Sequence, residues 1–320
     1  MKQLVLVLCA FLLSLPVFSQ EPKSDGVLEE RTPYTFPFET HEAWLEAMKG
    51  KGIPDWSVIV SKTEYDRYRA NQKIVGERIT YWSDGLRIKG FLIRPAKVEG
   101  RLPVVIYNRG GTMSFGRITF WEILEWYRLA EKGYVILASH LRGSAGSEGN
   151  YELGAGDIRD TLNLIKLAAS LPEADAQRVG MWGFSRGAIT TLLAMKQNPN
   201  IKAAALIGGS LDAINSHRRA EFDEHVYPHV IPNYSDDKDA AIKKISATTW
   251  AEELPPAPIL LLHGTHDERV LPYGAMKMAG KLQKFKRPYR LKIYEGGSHS
   301  LLEDFIDVRA EIERWFKRYL

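Results

Sequence analysis

The sequence predicts an α/β fold built on a mostly parallel, twisted sheet with helices on both faces and a short lid-like insertion. Three observations predict it. From residue 102 onward, short apolar runs alternate with segments of helical spacing. Most of those runs are almost continuously apolar, as expected of parallel strands buried on both faces. An alternating hairpin over residues 77–94 precedes them and supplies an antiparallel edge.

The elements follow in order. Lys2, the unbroken apolar run Leu4–Leu13, Pro16 and the compact residues Val17-Phe18-Ser19 have the layout of a secretory signal at residues 1–19, cleaved after Ser19. The run is too short to span a bilayer. Export to a periplasm or the medium is therefore expected. Leu6-Val7-Leu8 before Cys9 are not the small residues of a lipoprotein signal. Residues 20–74 mix Pro, Trp and charge without a clear period. They are expected to form an N-terminal extension packing on the core, with a short helix around Thr63–Gln72.

Residues 75–320 read as one domain. Glu77–Trp82 and Leu86–Arg94 are strands joined by Ser83-Asp84-Gly85. Leu102–Tyr107 is a strand entering Gly110-Gly111, and Phe120–Glu131 is a helix stopped at Gly133. Tyr134–Ser139 is a strand, and Asp157–Leu171 an amphipathic helix ended by Pro172. Arg178–Trp182 is a strand, Ala188–Gln197 a helix and Ala203–Ile207 a strand. Residues 211–250 then interrupt the alternation, and an insertion of that length in a compact domain suggests a lid. Pro258–Leu262, Tyr273–Phe285, Arg290–Tyr294 and Glu303–Tyr319 resume it as strand, helix, strand and helix.

Composition narrows the function. With 45% hydrophobic and 26% charged residues the chain is neither disordered nor of low complexity. A formal charge of +4 without a run of five like charges suggests no nucleic-acid partner. No later segment is apolar enough for a permanent membrane span. Cys9 is the single cysteine, so no intramolecular disulfide is expected.

The chemistry concentrates at Gly183-Phe184-Ser185-Arg186-Gly187, a G-x-S-x-G pattern between a strand and a helix. A serine on so sharp a turn needs neighbours without side chains, and the turn presents its Oγ at the carboxyl edge of the sheet. Such an elbow calls for an acid and then a histidine further along the chain. Asp267, in His263-Gly264-Thr265-His266-Asp267, follows one late strand. His299, in Glu295-Gly296-Gly297-Ser298-His299, follows the next. Ser185 is the expected nucleophile, His299 the general base and Asp267 the orienting acid. Asp212 is the rival acid. His263 and His266 precede the acid and read as loop hydrogen-bonding residues. His225 and His229 have the i,i+4 spacing of metal ligands, but Pro228 stands between them and no H-E-x-x-H is present, so no metal is expected.

An anionic tetrahedral intermediate needs at least two donors. The Arg186 amide is one expectation. Asn108-Arg109-Gly110-Gly111 offers the other, through the Gly110 amide or the Arg109 side chain. Arg142 orders its own loop or binds a substrate carboxylate. Tyr227, Tyr234 and Trp250 of the insertion are candidates for lining the pocket. No cofactor is called for.

These motifs together resemble an α/β-hydrolase, and within it the catalytic domain of the prolyl oligopeptidase (S9) family. Arg142-Gly143-Ser144-Ala145-Gly146 is similar to that family's R-G-S-x-G stretch. Gly183–Gly187 matches its elbow, His263–Val270 its H-G-x-x-D-x-x-V acid loop, and Gly296–His299 loosely its base loop. Ser246–Leu254 resembles the segment before the acid strand. Two positions depart from the pattern: Arg109 stands where the family often has a tyrosine donor, and Ala188 where it often has a second glycine. The 320 residues hold no stretch for the β-propeller that family peptidases usually carry. The resemblance implies an acyl-enzyme hydrolase for a small ester or short peptide, with a carboxylesterase as the alternative. A non-catalytic binding protein on this fold would be expected to have lost the Ser185–Asp267–His299 order.

Overall fold

The middle of the sheet is laid down by short, largely apolar chain segments. In the computed structural model, which describes residues 24–51, 55–70, 73–112, 115 and 117–320, the first strand is β1 (Leu28–Pro33). The expected signal and its cleavage site lie outside the described residues. Helices α1 (His41–Met48) and α2 (Lys62–Arg69) follow. The α2 start is a capping box in which Ser61 and Glu64 satisfy each other's backbone amides. The hairpin β2 (Ile74–Ser83) and β3 (Leu86–Pro95) then leads into β4 (Leu102–Asn108), α3 (Phe120–Glu131) and β5 (Val135–Ser139).

Next come α4 (Gly156–Ser170), β6 (Ala174–Phe184), α5 (Gly187–Gln197) and β7 (Ala203–Ile207). Three short helices fill the insertion: α6 (Arg219–His225), α7 (Tyr227–Val230) and α8 (Lys238–Lys244). The chain closes with β8 (Ile259–Gly264), α9 (Tyr273–Lys284), β9 (Tyr289–Tyr294) and α10 (Phe305–Tyr319).

The strands form one nine-stranded sheet in the order β1-β2-β3-β5-β4-β6-β7-β8-β9. From β5 across to β9 every pairing is parallel, whereas β1, β2 and β3 join antiparallel. All of β5, β7 and β8 is buried. Alternation along β4 splits the core in two. Val104 and Ile106 face a cluster shared with α4, α5 and α9, and Val105 and Tyr107 face one shared with α3 and α10. This is the architecture expected from the alternation of runs.

The N-terminal segment joins the second cluster. Strand β1 extends the sheet beyond the hairpin, so the hairpin is not its edge. Trp44, Trp56, Tyr65 and Tyr68 are buried, and Phe36 packs edge-on against Phe120 of α3 with ring centroids 4.9 Å apart. Arg128 of α3 reaches back to Glu64 at 3.1 Å. Aromatic side chains pack this segment onto α3, and such packing leaves no hydrophobic period in the sequence.

The parallel order places the carboxyl ends of β4, β6, β7, β8 and β9 along one edge. Loops leaving that edge carry every residue that sequence reasoning assigned to the chemistry.

Candidate active site

Ser185 sits at the hinge between β6 and α5 with φ of +53°, a left-handed conformation that a serine adopts only under constraint. The constraint is visible. Its amide donates to the Ile207 carbonyl at 2.8 Å, and its own carbonyl accepts from Ala188 at 3.1 Å and Ser210 at 3.2 Å. The flanking glycines make the turn sterically possible. A Cβ on Gly183 would lie 2.6 Å from the Gly187 carbonyl, and one on Gly187 would overlap the Asn108 carbonyl.

His299 is delivered by the loop after β9. Its Nε2 lies 2.9 Å from Ser185 Oγ and its Nδ1 2.7 Å from Asp267 Oδ2. Gly208, at the end of β7, makes room for the ring: a Cβ there would come 3.1 Å from His299 Nδ1. Asp267 is wholly buried in the loop after β8. Its Oδ1 accepts the amides of Arg269 at 3.0 Å and Val270 at 2.9 Å. Its Oδ2 is shared with His263, whose Nε2 lies 3.0 Å away and also 2.7 Å from the Val270 carbonyl. Burial alone would raise the Asp267 pKa. The hydrogen bonds from His263, His299 and the Val270 amide outweigh it and hold the carboxyl well below the usual range.

Beside Ser185, the Arg186 and Gly110 amides donate to no backbone carbonyl among the described residues. Arg186 caps the N-terminus of α5, where the helix dipole adds partial positive charge. Two guanidinium groups lie behind the Gly110 loop. That of Arg186 donates to the Arg109 carbonyl at 3.1 Å and to the Gly111 carbonyl, and its Nη1 meets Asp157 at 3.1 Å and Thr190 Oγ1 at 2.9 Å. That of Arg109 donates to the Gly110 carbonyl at 3.0 Å. All three carbonyls of residues 109–111 are thus held by cations. Burial raises the Asp157 pKa to about 6 against the opposing pull of Arg186.

Ser185, His299, Arg186 and Gly110 open onto a cleft of about 630 Å³. Leu153, Ile189, Val226, Tyr227 and Ile245 give it an apolar interior. Arg117, Arg218 and Arg269 also line it. Val226, Tyr227 and Ile245 come from the 211–250 insertion, which therefore walls the cleft. Among the described residues no group of three or more His, Cys, Asp or Glu could hold a metal ion, and no helix is long and apolar enough to cross a membrane.

Residues 121–320 match the model of the prolyl oligopeptidase family, Peptidase_S9. The chain belongs to the prolyl oligopeptidase family. It is accordingly a serine hydrolase. Among curated relatives of the family, the Bacillus subtilis protein described as uncharacterized peptidase YtmA is 28% identical over 222 residues, covering 69% of this chain and 84% of that protein. Mouse dipeptidyl peptidase 8 is 27% identical over 231 residues, 68% of this chain but 25% of its own length. The crystal structure of Porphyromonas gingivalis dipeptidyl peptidase 4 superposes with a TM-score of 0.66 at 22% identity, covering 82% of this chain and 37% of that one. This last likeness concerns the fold. The chain spans well under half the length of these two dipeptidyl peptidases.

Of the residues singled out in the sequence, Ser185, Asp267, His299, Gly110, Arg186 and Tyr227 meet around the cleft. Others do not. Tyr234 is buried with its hydroxyl on Asp223 at 2.6 Å and does not line the cleft. Arg109 is fully buried with its guanidinium on His140, Gly110 and Phe115 carbonyls and Ser144 Oγ, so its side chain faces away from Ser185 and is no oxyanion donor. Arg142 is spent on Asp160 at 2.7 Å and Asp84 at 2.8 Å, inside the protein, and binds no substrate from there. Trp250 is buried against Lys196, with its Nε1 on the Lys244 carbonyl, and does not line the cleft. The rival acid Asp212 is taken by Lys277 at 2.7 Å and by Asn215, away from His299.

Sequence reasoning missed the Arg186 side chain, Asp157, and the cleft residues Arg218 and Arg269. Asp157 reads as an ordinary acidic residue at a helix start. Nothing in its spacing points across to residue 186.

Proposed function

We propose that the protein hydrolyses short peptide-like amides or small carboxylic esters through an acyl-enzyme on Ser185. The observation that carries this reading is the continuous row Ser185 Oγ–His299–Asp267, with contacts of 2.9 and 2.7 Å, at a left-handed elbow. In the first step Ser185 Oγ attacks the substrate carbonyl while His299 Nε2 takes the hydroxyl proton. Asp267, held as a carboxylate, fixes the imidazole with a proton on Nδ1 and stabilises the imidazolium. The oxyanion is received by the amides of Arg186 and Gly110, aimed by the arginine-held loop and aided by the α5 dipole. His299 then hands its proton to the leaving amine or alcohol. Water, deprotonated by the same ring, releases the acid and regenerates the serine.

Family membership and relatives named as peptidases favour an amide. The walled cleft favours a short substrate. Export is part of the proposal, on the strength of the signal layout at residues 1–19, and N-terminal sequencing of secreted material should begin near Gln20.

The test compares the wild-type protein with Ser185→Ala on short-chain nitrophenyl esters and on aminoacyl and prolyl nitroanilides. Turnover should fall by about 10⁴-fold or more in the variant. Comparable rates in the two proteins would overturn the assignment. Anilide cleavage by the wild type would establish peptidase chemistry, and activity confined to esters would make the enzyme a carboxylesterase.

A further inference from the structure

We infer that the enzyme selects substrates carrying a carboxylate, held at the mouth of the cleft by Arg218 and Arg269. This rests on the hydrolase reading above and adds a substrate class to it.

The argument starts from charge. Among the described residues, four arginines line the cleft (Arg117, Arg186, Arg218 and Arg269) against a single carboxylic acid, Glu122. Glu122 does not neutralise them. It is buried, it accepts from Thr119 and Tyr107, and burial pushes its pKa up. Arg186 is balanced internally by Asp157. Arg218 donates to Glu221 through both Nε at 2.8 Å and Nη2 at 2.6 Å, but both side chains are exposed and its Nη1 is not used in that pair. Arg117 and Arg269 form no ion pair with any described carboxylate and are exposed. The cleft mouth is therefore electropositive, in a chain whose formal charge is only +4.

Position then singles out two of the four. A smaller hollow of about 170 Å³ adjoins the cleft, and Ser210, Arg218, Phe222, Tyr227, Arg269 and Val270 line both. Arg218 and Arg269 thus stand where the two spaces meet, one from the insertion and one from the acid loop. The carboxylate of the smaller hollow, Asp212, is already matched by Lys277 at 2.7 Å. Arg269 can offer paired N–H donors to a carboxylate, a geometry that lysine lacks, and Arg218 can add the Nη1 N–H groups that Glu221 leaves over. Arg269 lies two residues beyond Asp267 and its amide donates to that carboxylate at 3.0 Å, so the loop that orients His299 also presents the cation. A substrate carboxylate at the junction would lie within one short peptide of the serine. The substrates indicated are short peptides with a free C-terminus and acyl groups derived from dicarboxylic acids.

The experiment measures equilibrium binding to Ser185→Ala by titration calorimetry, so that affinity is read without turnover. Two matched pairs place the carboxylate on opposite sides of the scissile bond. N-acetyl-dialanine is compared with its C-terminal amide, and N-succinyl-alaninamide with N-acetyl-alaninamide. In at least one pair the anionic member should bind about tenfold or more tightly at low salt, as expected for charge-assisted hydrogen bonds. That preference should shrink on adding salt and fall towards unity in the Arg218→Gln/Arg269→Gln background. Lys317→Gln, an exposed cation on the far helix α10, should leave the ratio as it is. Equal binding within both pairs, or a preference that survives the double substitution, would overturn the inference. Loss of the hydrolase reading would show separately, as wild-type turnover that does not depend on Ser185.

Discussion

The Arg186 guanidinium meets the Asp157 carboxylate at 3.1 Å inside the protein, one residue along the chain from Ser185. Asp157 has no solvent exposure, and burial lifts its pKa to about 6 from an ordinary value of 3.8, with Arg186 pulling the other way. A raised carboxyl pKa means that the native state binds the proton more tightly than the unfolded chain. The corresponding stability is present below about pH 4 and is lost as pH rises through 6. Asp157→Asn removes this dependence. Between pH 4 and 7 the wild type should lose up to about 3 kcal/mol relative to the variant, read from urea midpoints. Parallel pH profiles in the two proteins would show that Asp157 titrates normally.

The same pair bears on the chemistry through the carbonyls of Arg109 and Gly111 that Arg186 holds. Arg186→Met should do two separable things. It strands a buried carboxylate, at a cost of about 3 kcal/mol of stability. It also frees the Gly110 loop, lowering kcat by about 10²-fold with little change in KM, as when an oxyanion donor is lost. Adding Asp157→Asn should restore much of the stability and none of the kcat. Joint recovery of both would reduce Arg186 to a structural residue.

How far the sequence carried depends on what each element owes to its neighbours. Strands β4, β5, β7 and β8 are apolar on both faces, so their composition alone announces a covered parallel sheet. Ser185, Asp267 and His299 were legible because each sits in a short motif at the end of a predicted strand, and strand order fixes where such ends meet. The failures share another cause. Arg109, Arg142 and Trp250 are polar or amphipathic side chains in loops, and the direction such a side chain takes is decided by partners remote in sequence. Arg109 finds Ser144, and Arg142 finds Asp160 and Asp84. Residues 20–74 gave little pattern beyond the helix expected around Thr63–Gln72, which is α2 (Lys62–Arg69), for the same reason. Their described part coheres through an aromatic cluster with α3, which has no period.

Asp267 is shared by two histidines, and the sharing predicts unequal effects. Its depressed pKa means that the stability it provides is present above the ordinary carboxylate range and is lost as pH falls below it. Asp267→Asn removes the charge that stabilises the His299 imidazolium and should lower kcat by about 10⁴-fold. His263→Phe leaves that charge in place but takes away one of its donors. A loss of about tenfold is expected, the worth of one hydrogen bond to a buried charged group. Steady-state kinetics on the two variants check the order. Equal losses would mean that His263 itself takes part in the proton path.

The insertion offers the sharpest separation of specificity from stability. Tyr227 and Phe222 stand with ring centroids 5.3 Å apart and both line the cleft, whereas Trp250, from the same insertion, is buried away from it. Truncating a wall residue enlarges the apolar space next to Ser185, and each methylene that then fits is worth roughly tenfold or more in discrimination. Tyr227→Ala and Phe222→Ala should therefore shift the kcat/KM profile of nitrophenyl esters towards longer acyl chains. Trp250→Phe should lower Tm, since its indole N–H on the Lys244 carbonyl is lost, and leave the profile in place. An unchanged profile in folded Tyr227→Ala, with circular dichroism matching the wild type, would mean that the insertion covers the site without selecting what enters it.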